Sequence, residues 1–565
     1  MCPQTAPTPD TQYAVQLVGP DQLRLNPAKE VHPPGPCQVL AKVEAVGLCF
    51  SDLKLLKQFG AHARKAEIVT GLAQEILAEI PSYVPGDKPT VPGHEVVVRI
   101  VAVGDQVRHH KIGERCLVQT DYRDLRTPAS NAAFGYNFEG ALQEYVLMDE
   151  RVIVDPASGE RFLIPVGEDL SASAICLVEP WACVEDSYVN HERASIKAGG
   201  ELLVVVDGDW RVIGLDDAFS PDGPPARISA FCGEESQTLA VESFGIETFA
   251  VENLEALPDE AYDDIVYYGA NAAILALLND KLAKRGILNV VLAGHTIGAP
   301  VSVGVGRIHY GMTRWIGTTG ADAAESYKSI PKTGEIRAHE RVLVVGAGGP
   351  MGQMHVIRNL CTGKPGVSLV AADVDDTRLA SLLEKARPIA EANHAELRAV
   401  NTKTTPLGEK FTYIALMAPV GALVADTIEQ SAAGCLINLF AGIPAQTRHA
   451  LNLDLLIANR CFMFGTSGSS IEDMKIVLRK VESGTLNTDC SVDAIAGMAG
   501  AVDGIKAVEN RTLAGKIIVY PMLHDLGLIA LAELKDTFPT VAAKLERGQW
   551  NRAAEAELLK VAGAK

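Results

Sequence analysis

Arg341-Val-Leu-Val-Val345 runs directly into Gly346-Ala347-Gly348-Gly349-Pro350-Met351-Gly352. The apolar run reads as a short buried strand, and the glycines as a turn that opens a helix. Such a turn lets backbone N–H groups at a helix N-terminus approach a pyrophosphate. The next apolar run, Leu369-Val-Ala-Ala372, ends in Asp373. A carboxylate there accepts hydrogen bonds from ribose hydroxyls and repels a 2′-phosphate, which favours NAD. Arg378 lies close behind and can hold that phosphate, so NADP stays open. Gly346 and Gly352 stand one residue further apart than the strict G-x-G-x-x-G spacing.

Working outward, strand and helix patterns alternate from residue 198 on, the signature of a parallel sheet. They do so twice. Gly286…Gly294 is followed by Gly317 and Gly320, and Gly434…Gly442 by Gly465 and Gly468, with identical spacings. The leading strands, Glu201-Leu-Leu-Val-Val-Val206 and Arg341-Val-Leu-Val-Val345, also match. This predicts a tandem duplication. The first copy has Asp207-Gly208-Asp209-Trp210-Arg211 at its turn, where Trp210 blocks backbone approach and the acids repel phosphate. It therefore reads as degenerate and without cofactor.

The 565 residues suit roughly three or four domains. Apolar residues make up 47% and charged residues 21%, ordinary globular composition. A net charge of −19 without a basic cluster excludes a duplex-binding face and gives no hint of a membrane surface. Met1–Asp10 does not read as a signal peptide, and no long uncharged apolar run is present. Eleven cysteines without a Cys-x-x-Cys pair point to reduced thiols and a cytoplasmic setting.

Residues 1–190 read as short strands broken by Gly and Pro, a small irregular barrel. Ala61–Ile80 reads as helical, inside an insertion over 60–88. The His109-His110 pair is expected at the surface. The 523–565 tail is expected to form one or two amphipathic helices. Cys49, Gly93-His94-Glu95 and Glu179-Pro180 offer a thiolate, an imidazole and two carboxylates. That set suits zinc with a position left for substrate. A Lewis-acid metal and a dinucleotide in one chain imply hydride transfer at an alcohol carbon.

Gly47-Leu-Cys49-Phe-Ser51-Asp52, Pro92-Gly93-His94-Glu95, Glu144-Tyr145-Val146 and Leu177-Val-Glu179-Pro180 resemble the medium-chain dehydrogenase/reductase superfamily, in its zinc-dependent alcohol and polyol branch. Cys49-x-Ser51-x-x-Lys54, Gly348–Gly352, Asp373-Val-Asp375-Asp376, Val400-Asn-Thr-Lys403 and Gly465-Thr-Ser-Gly468 are similar to L-sorbose-1-phosphate reductase-like sugar-phosphate dehydrogenases. The resemblance covers about 1–197 and 337–565. The four-cysteine lobe of a structural zinc is absent, and Phe50 replaces a glycine.

The resemblance implies a GroES-like catalytic domain over 1–197, a degenerate Rossmann-like domain over 198–336, an NAD-binding Rossmann domain over 337–485, and a return to the catalytic domain with a helical tail over 486–565. It implies that Cys49, His94 and Glu95 bind one zinc, with Glu179 as fourth ligand or neighbour. Ser51 would relay the alcohol proton, and Lys54 would hold a sugar hydroxyl or phosphate. Gly346, Gly348, Gly349, Met351, Gly352, Asp373 and Arg378 would line the dinucleotide, and Ala441, Gly442, Gly465, Thr466 and Ser467 the nicotinamide. The implied activity is hydride exchange between a nicotinamide cofactor and a secondary alcohol or ketone of a sugar, polyol or sugar phosphate. A zinc-free reductase and a non-catalytic NAD-responsive scaffold are the alternatives. Family members pair cofactor domains edge to edge. The degenerate copy is therefore expected to replace a dimer partner, leaving homo-oligomerisation through other surfaces open.

Overall fold

A computed structural model describes residues 8–563. Most of the Met1–Asp10 reading falls outside that range. The chain forms two compact units, Met1–Ala182 with Ser469–Lys565, and Cys183–Gly468. No helix among the described residues is long and apolar enough to cross a membrane.

The first unit is built on an eight-stranded, mostly antiparallel sheet. Strand β1 (Gln38–Gly47) pairs with β2 (Glu95–Val103), with Tyr145–Asp149, and at its end with Lys516–Val519. The register sets Gly47 opposite Glu95. Helix α1 (Phe50–Gln58) starts two residues beyond β1, with Cys49 as its N-cap. The backbone alone therefore brings Cys49 beside His94-Glu95. Helix α2 (Val178–Val189) carries Glu179 in its first turn and runs across the boundary between the units.

Several expectations need correction here. Ala61–Ile80 is not one helix. It folds as 3₁₀ turns at Phe59–Ala61 and Ala63–Lys65 and a short helix at Gln74–Ala78. Gly71 breaks it. Its φ is +99°, and a Cβ there would meet the Asp124 carbonyl at 2.2 Å. Val69 and Thr70 instead bond to Arg126 as a single antiparallel bridge. His110 is buried and hydrogen-bonds Glu150 at 2.8 Å, whereas His109 is exposed. In the tail, Ile529–Ala530 is a strand edge, and Arg552–Gly563 is the one helix of more than four residues.

The second unit is dominated by one twelve-stranded sheet. Its first half comprises β3 (Glu201–Val206), β4 (Arg227–Cys232), β5 (Thr248–Ala250), β6 (Tyr262–Tyr268), β7 (Leu282–Val291) and, after the short β8 (Val301–Val303) and helix α3 (Val305–Tyr310), β9 (Arg314–Thr318). The second half comprises β10 (Arg341–Val345), helix α4 (Pro350–Cys361), β11 (Ser368–Asp373), β12 (Glu396–Asn401), β13 (Phe411–Leu416), β14 (Ser431–Leu439), then β15 (His449–Leu451), helix α5 (Leu453–Ala458) and β16 (Phe462–Phe464). Spatial order is β5-β4-β3-β6-β7-β9-β16-β14-β13-β10-β11-β12. Each half is parallel within itself and has the same 3-2-1-4-5-6 winding. The continuous Val, Leu and Ile runs of β3 and β10 are what a sheet covered on both faces requires.

The halves meet at antiparallel β9 and β16, with Trp315 opposite Met463. Antiparallel β8 and β15 meet as well, with Ser302 opposite Ala450. The chain offset relating Gly294 to Gly442 also relates Ser302 to Ala450 and Trp315 to Met463. The contact is thus self-complementary, like an isologous dimer interface held within one chain. A shared apolar core runs through both halves, including Leu288, Trp315, Leu343 and Met463.

Candidate metal centre and dinucleotide crevice

In the first unit, donor atoms of Cys49, His94 and Glu95 lie within 4.8 Å of one another. Two side chains hold them. Asp52 accepts from the Cys49 backbone N–H at 3.1 Å and lies 3.0 Å from His94 Nδ1, so one carboxylate caps α1 and orients the imidazole. Buried Lys516 pairs with one oxygen of Glu95. The other oxygen, Oε2, is buried without a hydrogen-bond partner. An orphaned carboxylate oxygen beside a thiol and an imidazole is a donor set that fits a zinc-class cation. Gly47 is required beside it, because a Cβ there would stand 2.2 Å from Oε2.

The electrostatics are strongly coupled. Burial alone lowers the pKa of His94, but Asp52 and Cys49 hold it well above its ordinary value. Burial likewise opposes the charge on Lys516, and Glu95 and Cys49 more than restore it. Glu179 is half-buried and does not join the donor cluster among the described residues. Burial raises its pKa to about 7, against the pull of His94.

The Ser51 hydroxyl is 3.1 Å from Cys49 Sγ and 3.0 Å from His94 Nε2, and it also bonds Tyr136. Cys49, not Ser51, is the N-cap of α1. Lys54 is exposed one turn further on. Sequence reasoning missed four neighbours. Tyr136 lies 6.0 Å from the His94 ring, His62 packs tilted against the Tyr136 ring at 5.0 Å, Arg64 sits 5.8 Å over the Tyr136 face, and Lys516 backs Glu95. Burial, then the charges of Arg64 and Lys54, lower the pKa of His62 to about 4, keeping it neutral. Cys183, four residues after Glu179, is half-buried.

In the second unit, α4 opens at Gly349 with Pro350 in its first turn and no side chain capping it. Its unsatisfied N–H groups are free to meet an anion. Gly352 packs so closely that a Cβ would stand 2.2 Å from the Gly346 carbonyl, and Gly346 itself has φ +82°. Asp373 accepts from the N–H groups of Gly348 at 2.8 Å and Val374 at 2.7 Å. Arg378 flanks Gly348 and lies 3.9 Å from Asp375. Met351 is half-buried within α4. Beyond β14, Ala441 is buried and Gly442 exposed. Beyond β16, Gly465 and Thr466 are buried and Ser467 is exposed. These residues fit a dinucleotide laid across the carboxyl ends of β11, β10 and β14.

The first copy offers no such cradle. Between β3 and β4 the only helical segment is the 3₁₀ turn Asp216–Ala218. Trp210 packs tilted against His295 at 4.7 Å, and Gln237 donates to the carbonyls of Gly208 and Trp210.

Residues 35–157 match the alcohol dehydrogenase GroES-like domain. The chain is 25% identical over 295 residues to the uncharacterized protein YggP of Escherichia coli, spanning 46% of this chain and 66% of that one. It is 24% identical over 319 residues to mannitol-1-phosphate 5-dehydrogenase of Aliivibrio fischeri (51% and 73%). It is 25% identical over 283 residues to D-xylulose reductase of Morganella morganii (48% and 75%). Over the GroES-like domain and in these relatives the chain is similar to medium-chain alcohol and polyol dehydrogenases. A solved structure, 2R,3R-butanediol dehydrogenase from Bacillus subtilis, matches with a TM-score of 0.50 and 13% identity, over 90% of this chain and 100% of that one. At that identity the match speaks for the fold. In this chain the paired carboxylate of the donor set, Glu95, is fixed by a lysine that lies 421 positions away.

Proposed function

We propose that this chain is a zinc-dependent, nicotinamide-linked dehydrogenase acting on a secondary alcohol or ketone of a polyol, sugar or sugar phosphate. The observation that carries the reading is the Cys49–His94–Glu95 cluster with its orphaned Glu95 oxygen. Cys49, His94 and Glu95 would hold the metal, with Glu179 as neighbour or fourth donor. Zinc, when bound, supplies a Lewis acid that lowers the pKa of an alcohol. NAD, cradled by 337–485, supplies the hydride acceptor, and Arg378 leaves NADP within reach.

The chain's own groups do the rest. Asp52 fixes the His94 ring through Nδ1, leaving Nε2 toward the cluster. Lys516 holds Glu95 and balances its charge. Ser51 Oγ, a neutral hydroxyl touching the Cys49 and His94 donor atoms, would accept the alcohol proton while releasing its own towards the nicotinamide ribose. Lys54, His62 and Arg64 offer donors around Tyr136 for substrate hydroxyls or a phosphate. Relatives named for mannitol 1-phosphate and D-xylulose support a polyol or sugar substrate. The 198–336 copy holds no cofactor in this reading, and the 486–565 return completes the catalytic unit. A panel of polyols and sugar phosphates, assayed with NAD and NADP for reduced cofactor, tests the proposal. Reduction by none of them in zinc-loaded protein overturns it.

A further inference from the structure

The two copies meet through equivalent residues, yet they do not present equivalent side chains to each other. Helix α3 of the degenerate copy is seated on the loop after β14. The Gly306 N–H bonds the Thr447 carbonyl, and a Cβ on Gly306 would stand 2.0 Å from the Pro444 carbonyl. From there, the Tyr310 hydroxyl lies 3.0 Å from where a Cβ on Gly442 would stand. The His309 backbone lies 3.1 Å from the same point on Gly465, and its ring packs edge-on against Phe440 at 5.9 Å. In the opposite direction, α5 presents Ile457 and Ala458. Ile457 touches Gly317, and nothing lies within 4 Å of the Cβ position of Gly294. The polar aromatic pair therefore faces only the copy with the glycine cradle. The other direction carries plain aliphatics.

Position gives this asymmetry a function. In an open parallel sheet a dinucleotide lies across the carboxyl ends of the strands. Its adenosine half belongs beside β11 and Asp373, and its pyrophosphate at α4. The nicotinamide half then reaches the end of β14, where Gly442 is exposed. We propose that the degenerate copy completes the nicotinamide end of its neighbour's crevice, with the Tyr310 hydroxyl contacting the nicotinamide half of the cofactor. The inference rests on the reading that 337–485 binds the dinucleotide. Loss of the first copy's own cradle and retention of Tyr310 then follow from one division of labour, in which one copy holds the cofactor and the other walls it in.

The test uses the full chain, with NADH affinity from fluorescence and ADP-ribose, which lacks nicotinamide, as competitor. Tyr310→Phe should weaken NADH about fivefold, the worth of one lost hydrogen bond. Tyr310→Ala should weaken it further, and both variants should leave ADP-ribose within about twofold. Unchanged NADH affinity in both variants overturns the inference. So does equal weakening of NADH and ADP-ribose, which marks a merely structural role. Asp373→Ala and Gly348→Trp separate the two levels. Both should weaken NADH and ADP-ribose alike. If neither ligand responds to them, the cofactor reading itself fails, and this inference with it.

Discussion

Buried Asp489 shows how single residues in this chain trade solvation for fixed contacts. It accepts hydrogen bonds from Ser171 and Ser173, both at 2.6 Å, at the start of the Ala172–Cys176 helix. Glu555 from the terminal helix accepts from the N–H groups of Ala172 and Ser173 beside it. Burial raises the pKa of Asp489 to about 7 from an ordinary 3.8, despite the two serines. Folding therefore favours the protonated acid. This contribution is fully present below pH 3.8 and is lost as pH rises through about 7. Asp489→Asn should flatten the fall of Tm across that window and raise Tm at pH 8, as read by calorimetry. A steeper fall in the variant would contradict the assignment. At this scale, legibility followed locality. Cys49, His94 and Glu95 stood in short motifs, and Asp52 sat within one of them. Lys516, His62 and Arg64 carry no local signature, because register and an irregular loop bring them to the site.

Among elements, helix α4 and its missing counterpart decide where a nucleotide can sit. Gly348→Trp should abolish NADH binding. A Cβ there already meets Arg378 Cβ at 2.7 Å and Asp373 Oδ2 at 2.9 Å, before any ring is added. Trp210→Ala should leave NADH affinity within about twofold, because the first copy has no helix after β3 whose N–H groups could hold phosphate. Equilibrium binding of NADH to both variants checks the pair, and strong loss with Trp210→Ala would be the adverse result. The glycine turns and paired strand runs were legible because glycine spacing and continuous apolar strands are set by backbone geometry. The Ala61–Ile80 helix was misread because composition favoured a helix while Gly71 and the pairing with Arg126 decided otherwise. The tail has the expected helix at Arg552–Gly563, but the segment before it does not form one. Its leucines are spaced for a helix but are shared among a strand edge and short turns.

For the whole molecule, the antiparallel joint between β9 and β16 turns two six-stranded sheets into one and removes an exposed edge from each. The duplication was readable from repeated glycine spacings, and the covered edge was implied by the family resemblance. What the spacing could not convey was the one-sided use of α3. Trp315 is 1% exposed at the joint. Trp315→Ala should cost about 3–5 kcal/mol. Because the copies share a core, 183–468 should still unfold in one calorimetric step, at lower temperature. Two separated steps in that variant would show that the copies are energetically independent.

The most direct test of the central claim is metal content measured together with turnover on the same full-length protein. The expected result is about one zinc per chain, polyol- or sugar-dependent NADH production that disappears on complete chelation and returns with zinc, and neither metal nor turnover in a folded Cys49→Ser variant. Full turnover by metal-free protein, or two zincs per chain, would contradict it.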